Sequence, residues 1–119
     1  MKLIRNNQLT IQERPDGRTV TRILQHELNA KFSSIQNLYV VHPPELKEEL
    51  HYHKKSYEAL YFLDKANYKI NSEYYEINPG DFILFEPGDI HGAVPIKNET
   101  RILVFQVPAI IDDKFIVSK

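Results

Sequence analysis

Apolar and polar positions alternate along this chain in short runs, and turn residues interrupt the runs every few positions. Residues 19–24, 35–41, 57–63, 81–85 and 101–107 are rich in Ile, Val, Tyr, Phe and Thr, the side chains that suit a pleated, half-buried surface. Pro15-Asp16-Gly17 separates residues 9–14 from residues 18–24. Asp-Gly between two such runs predicts a hairpin, because glycine takes the positive φ that tight turns require. Asn71-Ser72 divides Tyr68-Lys69-Ile70 from Tyr74-Tyr75-Glu76-Ile77. Pro79-Gly80 and Pro87-Gly88 bracket residues 81–85, and each pair fits the two central positions of a type II turn. Residues 114–117 read as a final strand after a solvated turn at Asp112-Asp113.

No segment carries a helical stripe over three turns. Leu46 and Leu50 have i,i+4 spacing, but the run is short and follows Pro43-Pro44, so it reads as a loop or a single turn. Many short strands with turns between them predict an all-β sandwich or barrel.

The chain has 119 residues, 42% hydrophobic and 26% charged, which suits one domain spanning residues 1–119 with one core. Fifteen Lys plus Arg against 16 Asp plus Glu give a net charge of −1. That balance argues against nucleic acid as the main partner. No apolar run approaches the roughly 20 residues that span a bilayer, and Met1 to Asn7 holds no secretory apolar stretch. Cysteine is absent, which excludes disulfides, thiolate nucleophiles and Cys-based metal sites. The expected location is the cytoplasm.

Chemistry concentrates in His51-Tyr52-His53, Glu58 and His91. Imidazole and carboxylate are ligands that borderline divalent metals accept. On a strand, His51 and His53 share one face. A neighbouring strand beginning at Tyr57 would turn Glu58, Leu60 and Phe62 to the same interior. His91 would arrive from a strand distant in sequence. Four such groups gathered inside a barrel without a cation would leave buried polar atoms poorly satisfied. Of the remaining histidines, His26 reads as a surface residue and His42 as a strand end. Lys54 and Lys55 fit a solvated turn, or a pocket mouth attractive to anions. Gln106 could line the cavity or bond at a strand end. One of the tyrosines could donate a hydrogen bond to a ligand, with Tyr52, Tyr57 and Tyr61 reading mainly as wall or surface.

These residues resemble the cupin superfamily. Its first motif, G-x5-H-x-H-x3,4-E-x6-G, is matched by His51, His53 and Glu58 with the four-residue spacer, and its second, G-x5-P-x-G-x2-H-x3-N, by Gly80, Gly88 and His91. The resemblance covers residues 43–95. Glu45, Lys65, Glu86 and Pro95 depart from it, all at turn or framework positions and none at a ligand. The resemblance implies a small single-domain cupin: a double-stranded β-helix, or jelly-roll barrel. It also implies a divalent metal (Fe, Mn, Ni or Zn) held by His51, His53, Glu58 and His91, and a homodimer. The expected activity is metal-dependent chemistry on a small molecule, of dioxygenase or isomerase/lyase type. The alternative is a non-catalytic module that binds or senses a sugar or small acid.

Overall fold

The structure, a computed structural model, describes residues 9–27 and 34–117. Eleven strands run in chain order: β1 (Ile11–Glu13), β2 (Thr19–Glu27), β3 (Ser34–His42), β4 (His51–His53), β5 (Tyr57–Phe62), β6 (Ala66–Ile70), β7 (Glu73–Ile77), β8 (Phe82–Phe85), β9 (His91–Val94), β10 (Thr100–Val107) and β11 (Lys114–Ile116). They form a six-stranded sheet in the order β1-β2-β3-β10-β5-β8 and a five-stranded sheet in the order β11-β4-β9-β6-β7. All pairings are antiparallel, so this is the expected all-β jelly roll. Among the described residues no helix is long and apolar enough to cross a membrane.

The turns follow from their residues. Gly17, Gly80 and Gly88 have φ of 91°, 88° and 94°, so each predicted turn contains the residue that reaches this region without strain. Asn71 and Ser72, at φ 47° and 73°, form a two-residue connection between Ile70 and Glu73, which pair directly. Positive φ at both central residues matches the right-handed twist of the flanking strands.

Alternation along the strands then sorts the two faces. On β5, Glu58, Leu60 and Phe62 are buried while Tyr57 and Tyr61 are exposed. Phe62, Tyr68, Phe85 and Ile102 are the large apolar side chains most completely buried, and Val40, Leu60 and Val104 belong to the same core. Residues 43–50 form a loop, as expected, and Leu46 in it is buried. This loop lies over β9 at Gly92, where a Cβ would meet the Glu48 carbonyl oxygen and Leu50 Cδ2 at 3.2 Å and the Glu49 carbonyl oxygen at 3.4 Å. Glycine at position 92 lets the loop backbone approach the strand.

Two local expectations are corrected. β4 and β5 are not neighbours in one sheet: they belong to opposite sheets, and Lys54-Lys55-Ser56 carries the chain across the barrel. Asp112-Asp113 is not a solvated turn throughout. Asp113 is buried, and its carboxylate accepts the backbone N–H groups of Lys54 (3.2 Å), Lys55 (3.0 Å) and Ser56 (2.9 Å). That carboxylate ties the crossing to the segment leading into β11.

Candidate metal centre

His51 pairs directly with His91 across β4 and β9, and His53 follows on the same face of β4. Glu58 comes from the opposite sheet and faces them across the interior. All four are buried. One ring nitrogen from each histidine lies within 4.8 Å of the others, so His51, His53 and His91 could hold a metal ion. The Phe85 ring stacks on His91, with centroids 3.6 Å apart and planes 7° from parallel.

Each imidazole is oriented by a backbone carbonyl. The Nδ1 of His51 lies 2.9 Å from the Glu49 oxygen, that of His53 3.2 Å from the Asp113 oxygen, and that of His91 2.9 Å from the Asp89 oxygen. A carbonyl only accepts, so each Nδ1 carries the hydrogen. In the neutral rings Nε2 is then a bare lone pair, the arrangement in which histidine serves as a metal ligand.

Those lone pairs create an electrostatic problem that a cation resolves. His53 Nε2 lies 3.4 Å from Glu58 Oε2, and His91 Nε2 lies 3.4 Å from Glu58 Oε1. Both Nε2 atoms are buried and make no hydrogen bond. Acceptor facing acceptor requires a positive charge between them, either protons or a metal ion. Two donors about 2.1 Å from one zinc-sized ion stand roughly 3.4 Å apart at a tetrahedral angle, so the spacing fits. The proton affinities express the same tension. Burial raises the Glu58 carboxyl, but the His53 and His91 imidazoles facing it outweigh that effect and hold the group well below the usual carboxylate range. Burial lowers His53, but Glu58 outweighs it and raises the imidazole above its ordinary value. His51 does not face the carboxylate in this way. Burial, opposed by Glu48 and reinforced by His91 and Lys114, pushes it down to about 4.

Glu58 is held by more than histidines. Gln36, Gln106 and Glu58 occupy directly paired positions on β3, β10 and β5. Gln106 Nε2 donates to Glu58 Oε2 at 2.7 Å, Gln36 Nε2 donates to Gln106 Oε1 at 2.8 Å, and Arg22 Nε donates to Gln36 Oε1 at 3.1 Å. Arginine can only donate and an ionised carboxylate only accept, so the two ends fix both amide orientations. Gln106 therefore takes the cavity position that its sequence allowed, and takes it through β10's register.

The cavity around the cluster measures about 510 Å³, within the range of small-molecule pockets. Val20, Leu38, Val40, Leu60, Ile102 and Val104 supply apolar wall. Tyr68 is the tyrosine on that wall. Burial, followed by the Glu48 and Glu58 charges, keeps its phenol protonated far above the ordinary range. Tyr57 and Tyr61 are exposed, and Tyr52 stacks on Phe115 at 5.6 Å. His42 ends β3, is buried and lines the cavity. Burial lowers its proton affinity. The side chain of His26 lies outside the described residues. Lys54 and Lys55 are exposed on the turn, with the Lys54 ammonium 4.2 Å from the Phe115 ring centroid. The cations on the cavity wall are instead Arg14, Arg18, Arg22 and Lys114. Neither these nor Asp113 stood out in the sequence.

Comparison with known proteins decides the family, because the model of the AraC-like ligand binding domain matches residues 38–111. The chain belongs to that family. This AraC-like ligand binding domain has a small cupin fold, also seen in solved structures. KdgF from Halomonas sp. superposes with a TM-score of 0.78 at 14% identity, over 92% of this chain and 96% of that one. A predicted oxalate decarboxylase from Thermotoga maritima gives 0.77 at 18% identity, over 89% and 98%. An RmlC-like cupin from Shewanella frigidimarina gives 0.75 at 16% identity, over 90% of each chain. No curated protein matches the domain in sequence. At these identities the solved structures establish the fold.

Proposed function

We propose that this domain binds a divalent metal through His51, His53, Glu58 and His91 and acts on a small molecule held beside the ion. The observation that carries the reading is the set of three Nδ1-anchored imidazoles, two of whose buried Nε2 atoms stand 3.4 Å from a buried carboxylate. The mixed nitrogen and oxygen set suits iron, manganese, nickel or zinc. When bound, such an ion supplies Lewis acidity at a carbonyl or enediolate, or, as iron, a site for dioxygen. The reaction classes we assign are accordingly isomerase/lyase or dioxygenase. The chain's own residues orient the ligands, exclude water with the apolar wall and offer the protonated Tyr68 phenol as a donor. A second reading, a non-catalytic module that binds or senses a sugar or small acid, draws support from the ligand-binding family that the chain matches.

Elemental analysis of protein purified without chelators tests the metal. Near-stoichiometric iron supports the dioxygenase class, and manganese, nickel or zinc the isomerase/lyase class. Protein that stays metal-free after incubation with each of these ions, yet binds a sugar, replaces this reading with the module.

The reading includes a homodimer and a cytoplasmic location. On the outer face of the six-stranded sheet, Tyr39, Leu103, Tyr61 and Phe82 stand in one cross-strand row. Phe82 and Leu84 are 59% and 50% exposed. A contiguous apolar sheet face of this kind marks an association surface. Sedimentation of wild type and Phe82→Lys tests it: a monomeric wild type refutes the dimer.

A further inference from the structure

The cavity wall carries equal numbers of cationic and anionic side chains, but their partners are unequally distributed. Four cationic side chains, Arg14, Arg18, Arg22 and Lys114, face four carboxylates, Glu48, Glu58, Asp112 and Asp113. Most of the carboxylates are already engaged. Glu48 binds the Arg18 guanidinium at 2.9 Å and the Ala93 N–H at 3.0 Å. Asp113 is held by three backbone N–H groups. Glu58 is committed to the histidine cluster and Gln106. Asp112 is exposed in the turn before β11.

The cations are less evenly matched. Arg18 is neutralised by Asp16 at 2.8 Å as well as by Glu48. Arg14, Arg22 and Lys114 form no ion pair among the described residues, and of these Arg14 lies outside the strands, between β1 and β2. Arg22 sits opposite Leu38 on β2, on the interior face, and spends only its Nε on Gln36. Among the described residues its terminal nitrogens make no hydrogen bond, which leaves a two-pronged donor, the geometry that matches a carboxylate. Lys114 pairs with His53 across β11 and β4, which puts its side chain on the histidine face of the five-stranded sheet. Arg22 and Lys114 thus stand on opposite sheets of one cavity.

We propose that the ligand of this cavity is a small organic acid, whose carboxylate is received by the free end of Arg22 with Lys114 on the facing wall. The proposal rests on the cavity being the ligand site assigned above. It makes Arg22 and Lys114 the residues that select an acid over its neutral counterpart. A divalent ion on the histidine cluster adds two positive charges to the same space and strengthens the preference. Arg22 also terminates the hydrogen-bond chain to Glu58, so a carboxylate on Arg22 sits at the far end of the chain that holds the carboxylate of the cluster.

The test is calorimetric titration of the metal-loaded full chain with matched pairs: succinate against butane-1,4-diol, and glucuronate against glucose. Wild type should bind at least one acid about tenfold or more tightly than its neutral partner, the value of one charge-assisted contact. Arg22→Gln and Lys114→Gln, compared with wild type at equal metal occupancy, should each lose most of that preference. Arg14→Gln should retain it. Absence of acid preference in wild type, including absence of acid binding at millimolar concentration, overturns the proposal. So does a preference that survives in both the Arg22 and the Lys114 variants, because the ion alone would then supply it. Metal content measured on the same samples separates this outcome from failure of the metal reading.

Discussion

Replacing Gln106 by leucine tests how far the second layer of side chains controls the cluster. The substitution keeps volume and removes two hydrogen bonds, one to Glu58 at 2.7 Å and one from Gln36 at 2.8 Å. A hydrogen bond to a charged group is worth about 1.5–3 kcal/mol, and a buried amide left unpaired costs about 1–3 kcal/mol. The added apolar contact of leucine offsets part of this, so the metal-free variant should lose roughly 2–3 kcal/mol. For a chain of this size that lowers the thermal midpoint by roughly 10 °C. Loss of a partner that orients a metal ligand weakens metal binding by about 10- to 100-fold. Thermal unfolding in chelator gives the first quantity, and competition against a chromophoric chelator gives the second. Gln106→Glu should be worse than leucine, since it sets a second carboxylate against Glu58. If Gln106→Leu binds metal with wild-type affinity, the Gln36–Gln106–Glu58 row is packing only and the reasoning fails.

Other consequences can be checked directly. His91→Ala should abolish metal retention, leaving a folded β-rich barrel by circular dichroism. Undiminished metal content would refute its assignment as a ligand. Asp113→Asn offers one oxygen where three N–H donors now share two, so it should destabilise by about 1.5–3 kcal/mol in chemical denaturation. A change indistinguishable from zero would show that the crossing is held by other contacts. For pH, His51 is held down to about 4, so between about 4 and 6.5 the unfolded chain binds a proton that the folded chain refuses. Its contribution to stability is full above about pH 6.5 and is lost as pH falls toward 4. Glu58 adds a loss in the same direction at lower pH. His53, raised by Glu58, contributes stability present below about 6.5 and lost as pH rises through its folded value. The thermal midpoint of metal-free protein should therefore fall on the acid side, and His51→Gln should flatten that slope. An equal acid slope in the variant would contradict the assignment.

The strands were legible because strand period and turn residues act locally. Gly17, Gly80 and Gly88 sit where positive φ is needed, and the alternation at residues 57–63 sorts Glu58, Leu60 and Phe62 inward. The histidines were legible for the same reason: His-x-His on a strand presents both rings to one side. What could not be read depends on pairings far apart in sequence. A short turn after His53 resembles a hairpin, yet the chain crosses to the other sheet there because Asp113, nearly sixty residues later, collects the turn's N–H groups. Two adjacent aspartates near the end of a sequence look solvated until that convergence is known. Gln106 stood out as a polar residue in an apolar run, but Gln36 did not, and the two meet only through the register of β3 and β10. Arg22 lies just before a register shift in β2, which obscures which face it takes.

The carbonyls that latch the three imidazoles differ in origin. For His51 and His91 the oxygen belongs to the residue two positions earlier, so the strand carries its own latch and most side-chain exchanges at 49 and 89 would leave it intact. For His53 the oxygen is borrowed from the segment leading into β11. Trimming the chain ahead of Asp113 would take away the carbonyl that sets that one ring while the other two kept theirs, an injury to the centre that leaves His51, His53, Glu58 and His91 all in the sequence.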